Sequence, residues 1–254
     1  MSGFSADHDG AEIRVSPNFG PRIGVSAPDM IILHYTGMAT GEGAEGWLCN
    51  PESEVSSHYL VHEDGRIVQM VRESDRAWHA GRGSWKGITD INSRSVGIEI
   101  VNPGHFLGYP DFPDAQIEAV IGLCAGICTR HGIPPERILA HSDVSPGRKI
   151  DPGEKFPWDR LTKAGVATAR PDPTAEGGPW IGPGATGKIV EEVQAMLALH
   201  GYGVEITGRF EPLTRAVVEA FQRRFRPSRV DGLVDAATLS ILRQLLESRQ
   251  GDPT

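Results

Sequence analysis

Two histidines far apart in the chain each close a short apolar run, and this pairing constrains the fold more than any other feature. The first run is Met30-Ile31-Ile32-Leu33-His34-Tyr35, and the second is Ile138-Leu139-Ala140-His141. Runs of this length and composition read as buried strands. Asp151 follows the second histidine within Arg148-Lys149-Ile150-Asp151-Pro152-Gly153. Side chains at the carboxyl ends of such strands face a common crevice. Two imidazoles and one carboxylate, with a coordination position left open, are the donor set of a catalytic zinc site. A fold that serves this chain must therefore bring the ends of both runs side by side.

Composition narrows the setting. With 254 residues, 39% apolar and 23% charged, the chain suits one medium domain plus a small one. A net charge of −8 argues against a general nucleic-acid binder, which carries a basic face. No apolar run approaches the ~20 residues that a membrane-spanning helix needs. The stretch Met1 to Gly10 is polar and acidic and does not read as a secretory signal. The compartment is left open between the cytoplasm and export by a route other than the Sec pathway. Cys49, Cys124 and Cys128 are too few and too irregular for a disulfide framework. Cys124 and Cys128 sit four apart in an amphipathic pattern, where a thiol serves as a small core residue.

Residues 1–29 read as irregular, 30–35 as a buried strand, and 36–46 as a glycine-rich loop. Apolar runs at 58–63 and 66–71 flank Asp64-Gly65, which predicts a hairpin. Ser95 to Val101 reads as another buried strand. Asp111 to His131 predicts a helix with Pro113 in its first turn and Gly132 at its end. The mixture predicts an α/β fold, a mixed central sheet flanked by helices. A Pro/Gly-rich linker follows at 168–182. Beyond it, helices are expected over Ile189–His200, Thr214–Phe225 and Thr238–Leu246, the last opened by Asp235 as a cap. They form a small three-helix bundle. The expected division is 1–167, 168–182 and 183–254. Nine basic and nine acidic residues balance in 183–254, so the whole net charge lies in the first part. Arg223, Arg224, Arg226 and Arg229 read as a solvated helix end.

Glu99 interrupts an apolar strand between Ile98 and Ile100. A carboxylate there is costly unless paired or used. As a structural group it would need a basic partner, for which Arg94 is the candidate. As a functional group it would orient a metal-bound water and take its proton. Lys149 lies two residues before Asp151, and its ammonium would stabilise an oxyanion in the same crevice. Trp78, His79 and Trp85 make an aromatic patch in a glycine-rich loop, where Trp78 and His79 are candidates to touch a sugar. His58 is a further nitrogen near the site. It is not expected to be a ligand, because a fourth protein ligand would close the catalytic position.

Five segments occur in one order: Ile32-Leu33-His34-Tyr35-Thr36; Ser57-His58-Tyr59-Leu60-Val61; Ala77-Trp78-His79-Ala80-Gly81; Asn92 through Glu99 to Gly104; and His141-Ser142-Asp143 through Lys149 to Gly153. Together they resemble the AmpD-type zinc-dependent N-acetylmuramoyl-L-alanine amidases, which share a fold with the peptidoglycan recognition proteins. The resemblance covers roughly residues 15–165. It implies one Zn2+ per chain held by His34, His141 and Asp151. Glu99 would be the catalytic acid/base and Lys149 the transition-state stabiliser. Trp78, His79 and Asn92 would contact substrate. It further implies cleavage of the amide between the lactyl group of N-acetylmuramic acid and L-alanine, in peptidoglycan or muropeptides. The viral and animal branch often carries Tyr before the His58 position and Cys as third ligand. Here those positions are Ser57 and Asp151, which places the chain in the bacterial, glutamate-using branch. Residues from Gly187 to Leu242 resemble the peptidoglycan-binding domain of wall hydrolases, which implies retention on a polymer by a tethered second site. Two rivals stay open: a non-enzymatic peptidoglycan sensor, and a zinc peptidase acting on the stem peptide.

Overall fold

The computed structural model describes residues 4–250; residues 1–3 and 251–254, the ends of the two expected units, lie outside the described residues. In chain order the elements are β1 (Glu12–Ile13), β2 (Phe19–Pro21), β3 (Met30–Tyr35), α1 (Gly41–Leu48), β4 (Tyr59–Val61), β5 (Ile67–Gln69), β6 (Asp75–Ala77), α2 (Ile91–Arg94), β7 (Ser95–Ile100), α3 (Asp114–His131), β8 (Ile138–Ala140), α4 (His141–Val144), α5 (Trp158–Lys163), α6 (Lys188–His200), α7 (Pro212–Phe225) and α8 (Ala236–Gln250). Six strands form one sheet in the order β1-β5-β4-β7-β3-β8, and β2 pairs with β6 separately. Parallel pairing joins β4, β7, β3 and β8, while the β4–β5 hairpin is antiparallel. This is the mixed α/β sheet expected from the sequence, with Asp64-Gly65 in the hairpin turn.

Alternation along the strands sorts the side chains by face. Ile31, Leu33, Val96, Ile98 and Ile100 pack with Ile117, Val120, Leu123, Cys124 and Ile127 of α3, and with Trp158 and Leu161 of α5. The opposite face divides in two. Leu60, Val68 and Met70 pack against Ala44 and Leu48 of α1. Met30, Ile32 and Leu139 join Val190, Val193, Val217, Phe221 and Ile241 of the three C-terminal helices. His34, Glu99 and His141 continue this second face beyond its apolar residues, at the carboxyl ends of the strands.

Several expectations change. The glycine-rich stretch after Thr36 contains α1 rather than loop alone, capped by Thr40, whose Oγ1 accepts from the Gly43 amide at 3.1 Å. The large helix begins at Asp114, with Pro113 as its cap residue in extended conformation. The last helix runs past Leu246 to Gln250, opened as expected by Asp235, which accepts from the Thr238 amide at 3.0 Å. The arginines in and just after α7 are ion-paired rather than simply solvated, although Arg229 stays exposed. Arg224 is buried and ion-paired with Asp143 at 3.0 Å. Arg226 and Arg229 meet Asp235 at 2.5 and 3.0 Å. Arg223 alone keeps a loose pairing, with Glu219 at 3.7 Å. Nor do the C-terminal helices hang on a free tether: they share an apolar cluster with the sheet. No helix among the described residues is long and apolar enough to cross a membrane.

Glu73 pins the carboxyl end of α3 to the sheet. Its carboxylate accepts from Tyr59 Oη at 2.7 Å, Arg130 Nε at 3.0 Å and His131 Nε2 at 2.6 Å. Burial pushes its pKa up, but the bonds from His131, Arg130 and Tyr59 outweigh this and hold it at about 2 against an ordinary 4.5. The stabilisation is therefore complete above pH 4.5 and lost as pH falls through about 2. Glu73→Gln is expected to cost about 3 kcal/mol at pH 7 and to flatten the acid limb of a denaturation series over that window. Because burial at Met30, Ile32 and Leu139 depends on the C-terminal helices, calorimetry should record one cooperative transition for the full chain. Two resolved transitions would contradict the shared core.

Candidate active site

Three local structures converge on the metal-capable residues. Register places His34 of β3 directly opposite Glu99 of β7. On the other side of β3, β8 ends at Ala140, and the chain turns at once into α4, whose first residue is His141. The loop after α4 is drawn back by the Ser142 amide, which donates to the Asp151 carbonyl at 3.0 Å. Tyr109 Oη donates to the Pro152 carbonyl at 2.7 Å. A Cβ at Gly153 would collide with that hydroxyl, and φ there is +84°, so only glycine lets the loop close here.

The result is a tight triangle of donor atoms. His34 Nδ1 and His141 Nδ1 lie 2.8 Å apart, and Asp151 Oδ2 lies 3.1 and 2.9 Å from them. All three residues are buried. Their far sides decide which atoms face inward. The Ser95 hydroxyl donates to the Ile91 carbonyl at 2.7 Å, so its oxygen accepts from His79 Nε2 at 3.2 Å. His79 Nδ1 is then unprotonated and accepts from His34 Nε2 at 3.0 Å. His141 Nε2 donates to the Ala80 carbonyl at 2.9 Å. Both Nδ1 atoms therefore present lone pairs to one point, beside an acidic oxygen. Lone pairs this close repel unless a cation sits among them, so the donor set fits a metal ion.

The electrostatics agree with that donor set. Burial and the neighbouring His141 lower His34 to about 4, which keeps it neutral. Burial and His34 hold His79 well below its ordinary value, as the proton chain requires. Asp151 is driven two ways: burial raises it, and positive charge at the His141–His34 corner, the place a metal ion would take, lowers it below the ordinary carboxylate range. Glu99 differs. Burial, then the charge of Asp151, raise it well above the carboxylate range, with Lys149 in opposition. Its Oε2 is inaccessible and has no hydrogen-bond partner. Arg94, the candidate structural partner, is instead ion-paired with Asp29.

These groups open on a pocket of about 430 Å3, lined by His34, His141, Asp151, Glu99, Lys149, Trp78 and His79 among others. Trp78 is on its wall. His79 reaches it through a ring committed to His34, and that ring packs on Gly97 so closely that a Cβ there would overlap it. Asn92 is not on the wall: its Oδ1 accepts from the His79 and Ala80 amides at 3.2 and 2.8 Å and so shapes the loop from behind. His58 is structural, with Nδ1 accepting from the Gly97 amide at 2.9 Å. Trp85 is buried against the C-terminal helices rather than at the pocket. Sequence reasoning missed Trp47 and Phe106, which line the pocket at 48% and 92% exposure. The signal for Trp47, its place on the exposed face of α1, needed a helix that the glycine-rich sequence hides.

Comparison with known proteins agrees with this arrangement. A family model described as N-acetylmuramoyl-L-alanine amidase matches residues 24–154, and a peptidoglycan binding domain model matches 186–242. The N-acetylmuramoyl-L-alanine amidase AmiD of Escherichia coli is 37% identical over 247 residues, 89% of this chain and 83% of AmiD. Its structure in complex with anhydro-N-acetylmuramic acid-L-Ala-D-γ-Glu-L-Lys superposes with a TM-score of 0.75 at 34% identity, covering 94% of both chains. The 1,6-anhydro-N-acetylmuramyl-L-alanine amidase AmpD of Haemophilus influenzae is 31% identical over 163 residues, 57% of this chain and 86% of AmpD. A match over more than half the chain, and a relative aligned along most of its own length, make this chain a member of the N-acetylmuramoyl-L-alanine amidase family.

Proposed function

We propose that the chain hydrolyses the amide between the lactyl group of N-acetylmuramic acid and L-alanine, in peptidoglycan or in muropeptides released from it. The observation that carries this reading is the inward-facing triangle of His34, His141 and Asp151 beside the unpartnered carboxylate of Glu99. His34, His141 and Asp151 would hold one zinc ion. When bound, zinc polarises the scissile carbonyl and lowers the pKa of a water towards about 7. Glu99 takes the proton of the attacking water and returns it to the leaving nitrogen of L-alanine. Burial and the charge of Asp151 raise its pKa above the ordinary carboxylate range, which favours uptake of a proton by this group. Lys149 offsets the negative charge of the tetrahedral intermediate. Trp47, Trp78 and Phe106 offer aromatic faces to the sugar. Residues 1–167 carry the reaction, 168–182 connect, and 183–254 hold peptidoglycan.

Glu99→Gln is expected to lower turnover of a muramyl peptide by about 10²–10⁴ while bound zinc is retained. Unchanged turnover would refute the role of Glu99. Chelation should abolish activity and zinc should restore it. Mass analysis should find free muramyl saccharide and an L-alanine-headed peptide; release of D-alanine would identify a stem-peptide peptidase instead. His79→Ala removes the acceptor that fixes the His34 tautomer. Zinc affinity should fall about 10- to 100-fold in chelator competition.

A further inference from the structure

The ligand His141 is held by the C-terminal helices as well as by the sheet. Asp143, two residues on, is fully buried in α4. Its Oδ2 accepts from the Ala140 amide at 2.9 Å, which closes the turn immediately before His141. The same oxygen meets Arg224 Nη1 of α7 at 3.0 Å. The other oxygen, Oδ1, accepts from the hydroxyl of Tyr202, just beyond α6, at 2.7 Å. Arg224 also lies over the ring of Trp158, 4.3 Å from its centroid. A single carboxylate thus joins the ligand-bearing turn to two C-terminal side chains.

We infer that Arg224 and Tyr202 are positioning residues for the metal site, acting through Asp143 on the orientation of His141. This rests on the metal reading given above. The physical reason is the cost of a buried, unpaired carboxylate. Without Arg224, Asp143 would turn towards water, and its hold on the Ala140 amide would weaken. His141 begins its helix at that amide, and α4 is a single turn with little hydrogen bonding of its own. A loosened turn misaligns Nδ1 against His34 and Asp151, and a catalytic metal site tolerates little displacement. In this reading the C-terminal helices are part of the metal site's scaffold, in addition to any role in holding a polymer.

The test uses the full chain and zinc affinity, measured by competition with a chromophoric chelator, together with the absorption spectrum of the cobalt-loaded protein. Arg224→Met should weaken zinc binding about 10- to 100-fold, and Tyr202→Phe about 10-fold. Arg224→Lys, which retains the charge, should recover part of the loss. Arg229→Met removes an arginine that among the described residues is ion-paired with Asp231 and Asp235 of its own unit, and should leave zinc affinity unchanged. Thermal melts of the metal-free proteins separate loss of fold from loss of site. If Arg224→Met does not fold, Tyr202→Phe decides, because it removes one oxygen and keeps the ring. Folded Arg224→Met or Tyr202→Phe proteins with wild-type zinc affinity and an unaltered cobalt spectrum would overturn the inference. A wild-type chain that binds no zinc would instead overturn the metal reading, and this inference with it.

Discussion

Three electron-rich atoms are held within about 3 Å of one another at the ends of two parallel strands, and the rest of the structure serves that arrangement. Such atoms repel without a cation, so they stay together only if each side chain is fixed from behind. Ser95, His79 and the Ile91 carbonyl fix His34. The Ala80 carbonyl fixes His141. The Ser142 amide and the close contact of Gly153 with Tyr109 fix the Asp151 loop. These supports are buried, apart from the half-buried His79, and a hydrogen bond left unmade there is costly. Function and folding are coupled here through one inventory of backbone and side-chain partners.

The sheet explains why two units share one molecule. One face is covered by α3 and α5. The other is covered on one side by α1, which lines the pocket through Ala44, Trp47 and Leu48, and on the other by the C-terminal helices. Met30, Ile32, Leu139 and Trp85 would meet water without those helices, a large apolar loss. A segment that matches a peptidoglycan binding domain model shares one hydrophobic cluster with the sheet.

Much of this is legible along the chain. Apolar runs at 30–35 and 95–100 announce buried strands, and Asp64-Gly65 announces a hairpin. His34, His141, Glu99, Lys149 and Asp151 all stand out from their neighbours, and the fold brings them around one pocket. Other features are not legible. Glycine-rich 36–46 hides the start of α1, because Gly41 is required by the approach of His62, whose ring would lie 2.5 Å from a Cβ at that position, rather than by a turn. Arg224 reads as solvated because its partner Asp143 is far away in sequence. Asn92 reads as a substrate contact, yet its side-chain oxygen Oδ1 is spent on the loop that carries His79.

By itself the sequence determined what period and residue type encode: which runs are strands, and which donors a metal could use. Only the tertiary structure decided which nitrogen of each imidazole faces inward, which carboxylates are paired, and that the C-terminal helices close the sheet. The reason is range. Strand alternation and helix caps are set by neighbours a few residues apart. A tautomer or a buried ion pair is set by atoms that meet only after the chain has folded.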